Sequence, residues 1–115
     1  KEAEEAAKQE ALMKEEMAKQ NAEREVAFNE MMSGFLQICY KHGYDEGFEW
    51  GNMPGDDDLY SGILSRGLDD FSNKYYEMLR TTNFGLDYPS EIPTCVNKYK
   101  RGFKDGFDEG WKRSH

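Results

Sequence analysis

The sequence has few of the residues that anchor sheets, disulfide frameworks or membrane spans. It contains 2 cysteines and 3 prolines, and valine, isoleucine and threonine are scarce. Two cysteines do not make a disulfide framework, so we expect Cys39 and Cys95 to be buried thiols. Because apolar runs are short, a membrane span is excluded. The lack of β-branched residues and of alternating patterns predicts no strands.

Basic residues are also in deficit, and this limits the classes of partner. The chain has 15 lysines and arginines against 23 aspartates and glutamates, for a net charge of −8. An acidic chain repels a phosphate backbone, so we expect no direct nucleic-acid binding and favour a protein partner, especially a basic one. No secretory leader is visible in the charged, alanine-rich start, and a cytoplasmic location is the default expectation.

Residues 1–30 predict a charged N-terminal helix. Alanine, glutamate, lysine, glutamine and methionine dominate, glycine and proline are absent, and pairs such as Glu10–Lys14 have the favourable order. Its large apolar residues form only a thin stripe, consisting of Leu12, Met13 and Met17, then Val26 and Phe28. That row is too thin for a sustained heptad seam. We therefore expect an exposed arm or a weak coiled coil, through which copies of the chain could form a homo-oligomer.

Residues 31–115 predict a compact helical domain of three or four helices. Ser33-Gly34 is a candidate interruption of the first helix, and Gly67 is one of the second. Residues 83–93 read as a loop, and the last helix begins near residues 90–94. The fold class is therefore all-α, with a long exposed N-terminal helix that leads into a small bundle.

Two segments of this domain share one pattern, and we call them the ladders. Residues 40–51 read YKHGYDEGFEWG, and residues 99–110 read YKRGFKDGFDEG. Since residues four apart share a helix face, each ladder places a row of aromatic residues beside a row of glycines. The aromatic residues are Tyr40, Tyr44 and Phe48 in the first row and Tyr99, Phe103, Phe107 and Trp111 in the second; the glycines are Gly43, Gly47, Gly51, Gly102, Gly106 and Gly110.

The glycine rows need a structural reason. In an isolated helix each glycine costs about 0.8–1 kcal/mol relative to alanine. Close packing can offset that cost, because a glycine row is a groove and an aromatic row is a ridge. We therefore expect the two ladders to pack on each other. The alternative is that one or both form a groove for another molecule or for a second copy of the chain.

The ladder motif resembles segments of known families. The GYxxG portion resembles the opening helix of ribosome modulation factor, over residues 40–51 only, although that family is basic and this chain is acidic. The glycine at every fourth position is similar to a segment of flagellar export regulators of the stator type. Small acidic helical proteins of this kind are typical of bacteriophages and mobile elements. The first resemblance implies ribosome association as a third functional candidate, and no functional residue is transferred from either family.

Sites of catalysis and metal binding are not indicated. Cys39 and His42 have a zinc-like spacing, but the remaining candidate ligands, Cys95 and His115, are not clustered. A cysteine and a histidine three positions apart do not make a nucleophilic site without an orienting acid. The acids that follow residue 55 fail the calcium-loop template. We therefore expect no enzymatic activity, no cofactor and no metal.

Acidic side chains provide the remaining functional hypothesis. The candidate surface comprises Asp45, Glu46, Asp56, Asp57, Asp58, Asp69 and Asp70. Such a surface could imitate a phosphate lattice in the basic cleft of a restriction or CRISPR-type enzyme, although basic residues are interleaved with the acids. The favoured function is non-catalytic protein–protein interaction through helical surfaces, and the acidic inhibitor is the alternative.

Overall fold

The computed structural model describes residues 2–53 and 59–115, and those residues form an all-helical fold. The elements are α1 (Glu2–Gly51), α2 (Tyr60–Thr81), α3 (Asn83–Asp87), a 3-10 turn (Pro89–Glu91) and α4 (Ile92–Ser114). No strand occurs in these two ranges. The all-α class and the long N-terminal helix predicted from the sequence are confirmed.

The chain divides into two units, Lys1–Gly34 and Phe35–His115. In the first unit, residues 2–31 form helix without a single buried side chain. Their composition explains this, because strong helix formers hold the backbone helical while the sequence supplies few apolar side chains to bury.

The second unit contains residues 35–51 of α1 together with α2, α3 and α4. Apolar residues at helical spacing give α2 and α4 one buried face each. The short helix α3 is preceded by the N-cap residue Thr82, whose hydroxyl accepts a hydrogen bond from the Gly85 amide at 3.3 Å. A proline in the first turn starts α4, where a missing N–H has no cost.

The core of the second unit is rich in aromatic and sulfur-containing residues. α4 contributes more of the buried side chains than any other element, because it lies under α2 on one side and against α1 on another. The buried residues of this cluster are Cys39, Tyr75, Leu79, Ile92, Cys95, Val96, Tyr99 and Phe103.

The two cysteines form a disulfide, so the expectation of buried free thiols is wrong. Cys39 of α1 and Cys95 of α4 are joined, with their Cα atoms 5.5 Å apart, and both side chains are fully buried. They are 56 positions apart in the chain. The pairing follows from the packing of α1 on α4, which brings both Cβ atoms to one place.

Three predictions of non-helical positions are also wrong. α1 runs unbroken through Gly34, and α2 runs unbroken through Gly67. The indole of Trp50 packs against Gly67, so this glycine makes room for a side chain and does not end the helix. Residues 83–93, expected to be a loop, contain α3 and the 3-10 turn, because Thr82 provides a cap and Pro89 starts a helical turn.

Candidate functional site

The glycines of each ladder lie against the backbone of the other ladder. A Cβ added at any of the six would lie less than 3.0 Å from a carbonyl oxygen of the opposite helix, a distance that real Cβ atoms essentially never show. The glycine hydrogen that replaces the side chain therefore points at that oxygen, which is the geometry of a Cα–H···O contact. Gly43, Gly47 and Gly51 face Tyr99, Phe103 and Phe107, while Gly102, Gly106 and Gly110 face Tyr40, Tyr44 and Phe48.

These pairs show that the two ladder helices run parallel and are related by an approximate twofold axis. Gly43 meets the carbonyl of Tyr99, and Gly102 meets the carbonyl of Tyr40. Each of these residues lies 59 positions from its counterpart, so the contact is the same when the helices are exchanged. The sequence repeat thus corresponds to a repeated backbone contact.

The aromatic rows do not share this symmetry, because α2 covers only one of them. On α4, Tyr99 is 2 % exposed and Phe103 is fully buried. The Tyr75 ring of α2 stacks on Tyr99 with centroids 4.2 Å apart, and Phe71 lies 5.5 Å from Phe103. Phe107 of α4 is fully buried as well.

The aromatic row on α1 is not covered by α2 and is bordered by charged side chains of α4. Tyr40, Tyr44 and Phe48 are half-buried. The Tyr40 hydroxyl donates a hydrogen bond to Asp105 at 2.6 Å, which raises the pKa of Tyr40 above its usual value. The guanidinium of Arg113 lies 5.4 Å from the centroid of Phe48.

Trp111 ends the second ladder as part of an aromatic cluster. Its half-buried ring lies 5.2 Å from Tyr60 of α2 and 5.6 Å from Phe107. The Tyr60 hydroxyl donates to Asp108, and this hydrogen bond, with burial, raises the pKa of Tyr60 to about 12. The start of α2 is thereby attached to the end of α4.

The acidic candidates do not all lie within the described residues. Asp45 and Glu46 are exposed on α1, and Asp69 and Asp70 are exposed on α2. The other three, Asp56, Asp57 and Asp58, lie outside the residues that the structure describes.

A groove between α1 and α2 is a site that the sequence analysis missed. Its volume is about 510 Å³. The acidic candidates Asp45 and Glu46 lie on its α1 side. The helical spacing of the α2 members was visible in the sequence, but nothing in the sequence paired that face with residues 42–46. The lining residues are His42, Asp45, Glu46, Phe71, Lys74, Tyr75, Met78 and Tyr99.

The N-terminal helix is a second candidate surface. Met13 and Met17 are 64 % and 62 % exposed, and Met31 is 49 % exposed. At 100° per residue, these three methionines fall within about 40° of one another around the helix axis. They form an exposed apolar row, which we call the methionine row.

Neither a metal-binding cluster nor a bilayer-spanning helix occurs in the residues that the structure describes. Within residues 2–53 and 59–115, no three histidine, cysteine, aspartate or glutamate residues are grouped so that they could hold a metal ion. In the same ranges, no helix has an apolar stretch that could cross a bilayer. The sulfurs of Cys39 and Cys95 are bonded to each other, so neither is a thiolate ligand or nucleophile in this form.

Comparison of the chain with models of known protein families, with curated protein sequences and with solved structures gave no match.

Proposed function

We propose that this protein is a non-catalytic protein–protein interaction protein, and that residues 2–31 of α1 form its docking element. The observation that carries the proposal is the methionine row on a helix with no buried side chain over those residues. An exposed apolar row along a helix is the pattern by which helices dock into the apolar groove of a partner.

The physics of isolated helices supports this proposal. The strong helix formers of residues 2–31 favour the helix by themselves, but packing of an apolar face adds more stability than propensity does in most protein helices. Apart from Val26 and Phe28, the residues between the methionines are charged, polar or alanine, so most of the remaining surface of this segment interacts favourably with water until a partner covers the row. Methionine suits such a role, because its flexible thioether adapts to irregular apolar surfaces.

The second unit also supports the proposal, because its core is formed by its own helices without a partner. The disulfide and the ladder contact fix residues 39–51 of α1 against α4. The covered ladder glycines are buried in that contact, so they are not left as a groove for another molecule. The docking surfaces that remain are the exposed ones.

The experiment compares two variants of the docking element by affinity capture and light scattering. Met13→Gln/Met17→Gln/Met31→Gln removes the methionine row while keeping good helix formers. Ala11→Gln/Ala22→Gln is the matched control, because both alanines lie on the opposite side of the helix at 100° per residue. We expect the first variant, and not the control, to lose a partner that resists high salt, whether that partner is a second copy or another protein. A monomeric wild-type chain that captures nothing at either salt concentration contradicts the proposal.

One observation favours the acidic inhibitor as a second candidate. Asp45, Glu46, Asp69 and Asp70 are all exposed, so their charges are available to a basic cleft. A nucleic-acid enzyme captured at low salt and released at high salt supports this candidate, because exposed charge pairs are screened by salt. A partner retained at high salt contradicts it.

The cytoplasmic location expected from the sequence has an argument against it. A disulfide joins Cys39 to Cys95, and cytosolic thiols are normally kept reduced. We therefore propose that the protein resides in an oxidising compartment or outside the cell. Blocking free thiols during cell lysis, followed by mass measurement of the intact chain, tests it: recovery of the chain with both cysteines blocked contradicts the proposal.

A further inference from the structure

The groove between α1 and α2 combines two kinds of lining. Its α1 side carries the carboxylates of Asp45 and Glu46, and the opposite side presents the aromatic ring of Phe71 and the side chain of Met78. Small-molecule and side-chain sites in proteins are typically apolar concavities with a few placed charges. All the lining residues belong to the unit Phe35–His115.

The base of this groove is held in place from below. Tyr75 stacks on the buried Tyr99 with an interplanar angle of 18°. The hydroxyl of Tyr75 lies 3.0 Å from Nδ1 of His42 and 4.0 Å from the sulfur of Cys95, in the disulfide. A base that is already ordered costs little entropy when a ligand binds.

Charge and aromatic faces in the groove both favour a cation. The ammonium of Lys74 lies 5.8 Å from the centroid of Phe71, so the chain already places one of its own cations over this aromatic lining. Aromatic faces attract cations, and nearby carboxylates add to that attraction. Burial raises the pKa of Tyr99 at the base of the groove, and the negative charge of Glu46 adds to this effect.

We propose that this groove binds the basic side chain of a protein partner, with arginine as the preferred residue. The inference rests on the proposed interaction function and names the chemistry of one partner contact. Arginine fits better than lysine because its planar guanidinium stacks on rings and pairs with two carboxylate oxygens at once. The groove, at about 510 Å³, also leaves room for an apolar neighbour of the arginine beside Met78. The net charge of −8 attracts a basic segment from a distance.

The test is a titration of the isotope-labelled full chain followed by NMR. The probe is the tripeptide acetyl-Leu-Arg-Leu-amide, and its matched control replaces arginine by citrulline, which has the same shape and no charge. We expect shift changes centred on His42, Tyr75 and Met78, and binding of the citrulline peptide that is weaker by about tenfold or more. Equal binding of both peptides, or shifts centred outside the groove, overturns the proposal.

Three variants separate the groove from general electrostatic attraction. Asp45→Asn/Glu46→Gln should weaken binding of the arginine peptide by about tenfold. Glu15→Gln/Glu16→Gln changes the net charge equally, outside the groove, and should leave binding unchanged. Lys74→Met removes the competing ammonium and should tighten binding by a few fold. An equal loss in the first two variants, or weaker binding in the third, overturns the assignment.

Two further comparisons are needed. The first shows whether the cation belongs to a peptide or to a free small molecule, and the second separates failure of this inference from failure of the proposed function. Free argininamide that binds as tightly as the tripeptide would assign the groove to a small cation and overturn the peptide assignment. If the tripeptide fails to bind while the methionine row still captures its partner, the groove inference is wrong and the interaction function stands. If the tripeptide binds and the wild-type chain captures nothing, the interaction function is wrong, and with it the partner assignment.

Discussion

Gly47 and Gly106 occupy positions where the opposite helix leaves no room for a side chain. At Gly47 the nearest atoms to an added Cβ belong to the backbone of Phe103, and at Gly106 they belong to the backbone of Tyr44 and Phe48. Backbone atoms cannot rotate away as a flexible side chain can, so a substitution must push the helices apart. The cost of glycine to helix propensity is offset here by the close approach of two backbones.

The first prediction compares these glycines with an open one. Gly47→Ala and Gly106→Ala should each lower the free energy of unfolding by about 1–3 kcal/mol, because each overpacks the ladder contact. Gly62→Ala, at a helical position with nothing within 4 Å, should instead raise it by about 0.5–1 kcal/mol. Urea denaturation followed by circular dichroism gives all three values. A change of the same sign in all three variants would contradict the close contact.

At the residue scale, the sequence reveals spacing but not contact partners. The four-residue period of the glycines was enough to expect that the ladders pack, since glycine rows are costly without a neighbour. It did not show that carbonyl groups, in place of aromatic rings, fill the space beside each glycine. The disulfide was missed for a similar reason: nothing in a separation of 56 positions indicates a Cα distance of 5.5 Å.

At the scale of elements, the disulfide joins α1 to α4 at the start of the ladder contact. Cys39 lies just before the first ladder, and Cys95 lies in the first turn of α4. A covalent link at this point limits how far the segments around Cys39 and Cys95 can separate in the unfolded chain. In the chain-entropy account, the stabilisation grows with the length of the closed loop.

The second prediction concerns this link. Reduction of the disulfide, or the substitution Cys39→Ala/Cys95→Ala, should lower the free energy of unfolding by about 2–4 kcal/mol. Urea midpoints of the oxidised and reduced chain measure the effect, and the reductant should not change the midpoint of the double variant. Two thiols that react with maleimide in the native oxidised chain would show that the link does not form.

The third prediction concerns the contact of Tyr60 with Asp108, which connects α2 to α4. Because the pKa of Tyr60 is raised to about 12, the fold favours the neutral phenol. The resulting stabilisation is complete below the unfolded pKa of about 10 and is lost as the pH rises towards about 12. Tyr60→Phe removes the hydrogen bond, so it should lower stability near neutral pH and make the alkaline decrease shallower.

Urea midpoints measured at about pH 8 and at about pH 11 provide the check. Tyr76→Phe is the matched control, since the Tyr76 ring is 40 % exposed on the same helix. The control should keep the wild-type decrease between the two pH values. If Tyr60→Phe shows the same decrease as the control, the hydrogen bond does not contribute in this pH range.

At the scale of the whole molecule, the sequence repeat explains only part of the fold. The ladder backbones are arranged symmetrically, yet α2 covers the aromatic row of α4 and leaves that of α1 half-buried. The sequence contains a reason for this difference: the positions in the second copy that correspond to His42 and Trp50 are Arg101 and Glu109. Arg101 and Glu109 would be costly to bury, so the face of α4 that carries them is unsuitable for packing against another helix. The shared pattern alone therefore does not indicate which aromatic row α2 covers.

The last prediction concerns the N-terminal helix. A chain that lacks residues 2–20 should keep a cooperative thermal transition, with a Tm within about 3 °C of the full chain. The reason is that every one of those residues is exposed, so their removal deletes no buried side chain. Circular dichroism at 222 nm should fall only in proportion to the helical residues removed.

The same truncation removes Met13 and Met17, so it should abolish capture of the salt-resistant partner while the arginine tripeptide still binds in the groove. A truncated chain that no longer unfolds cooperatively would mean that residues 2–20 belong to the core, and their role as a docking element would then have to be abandoned.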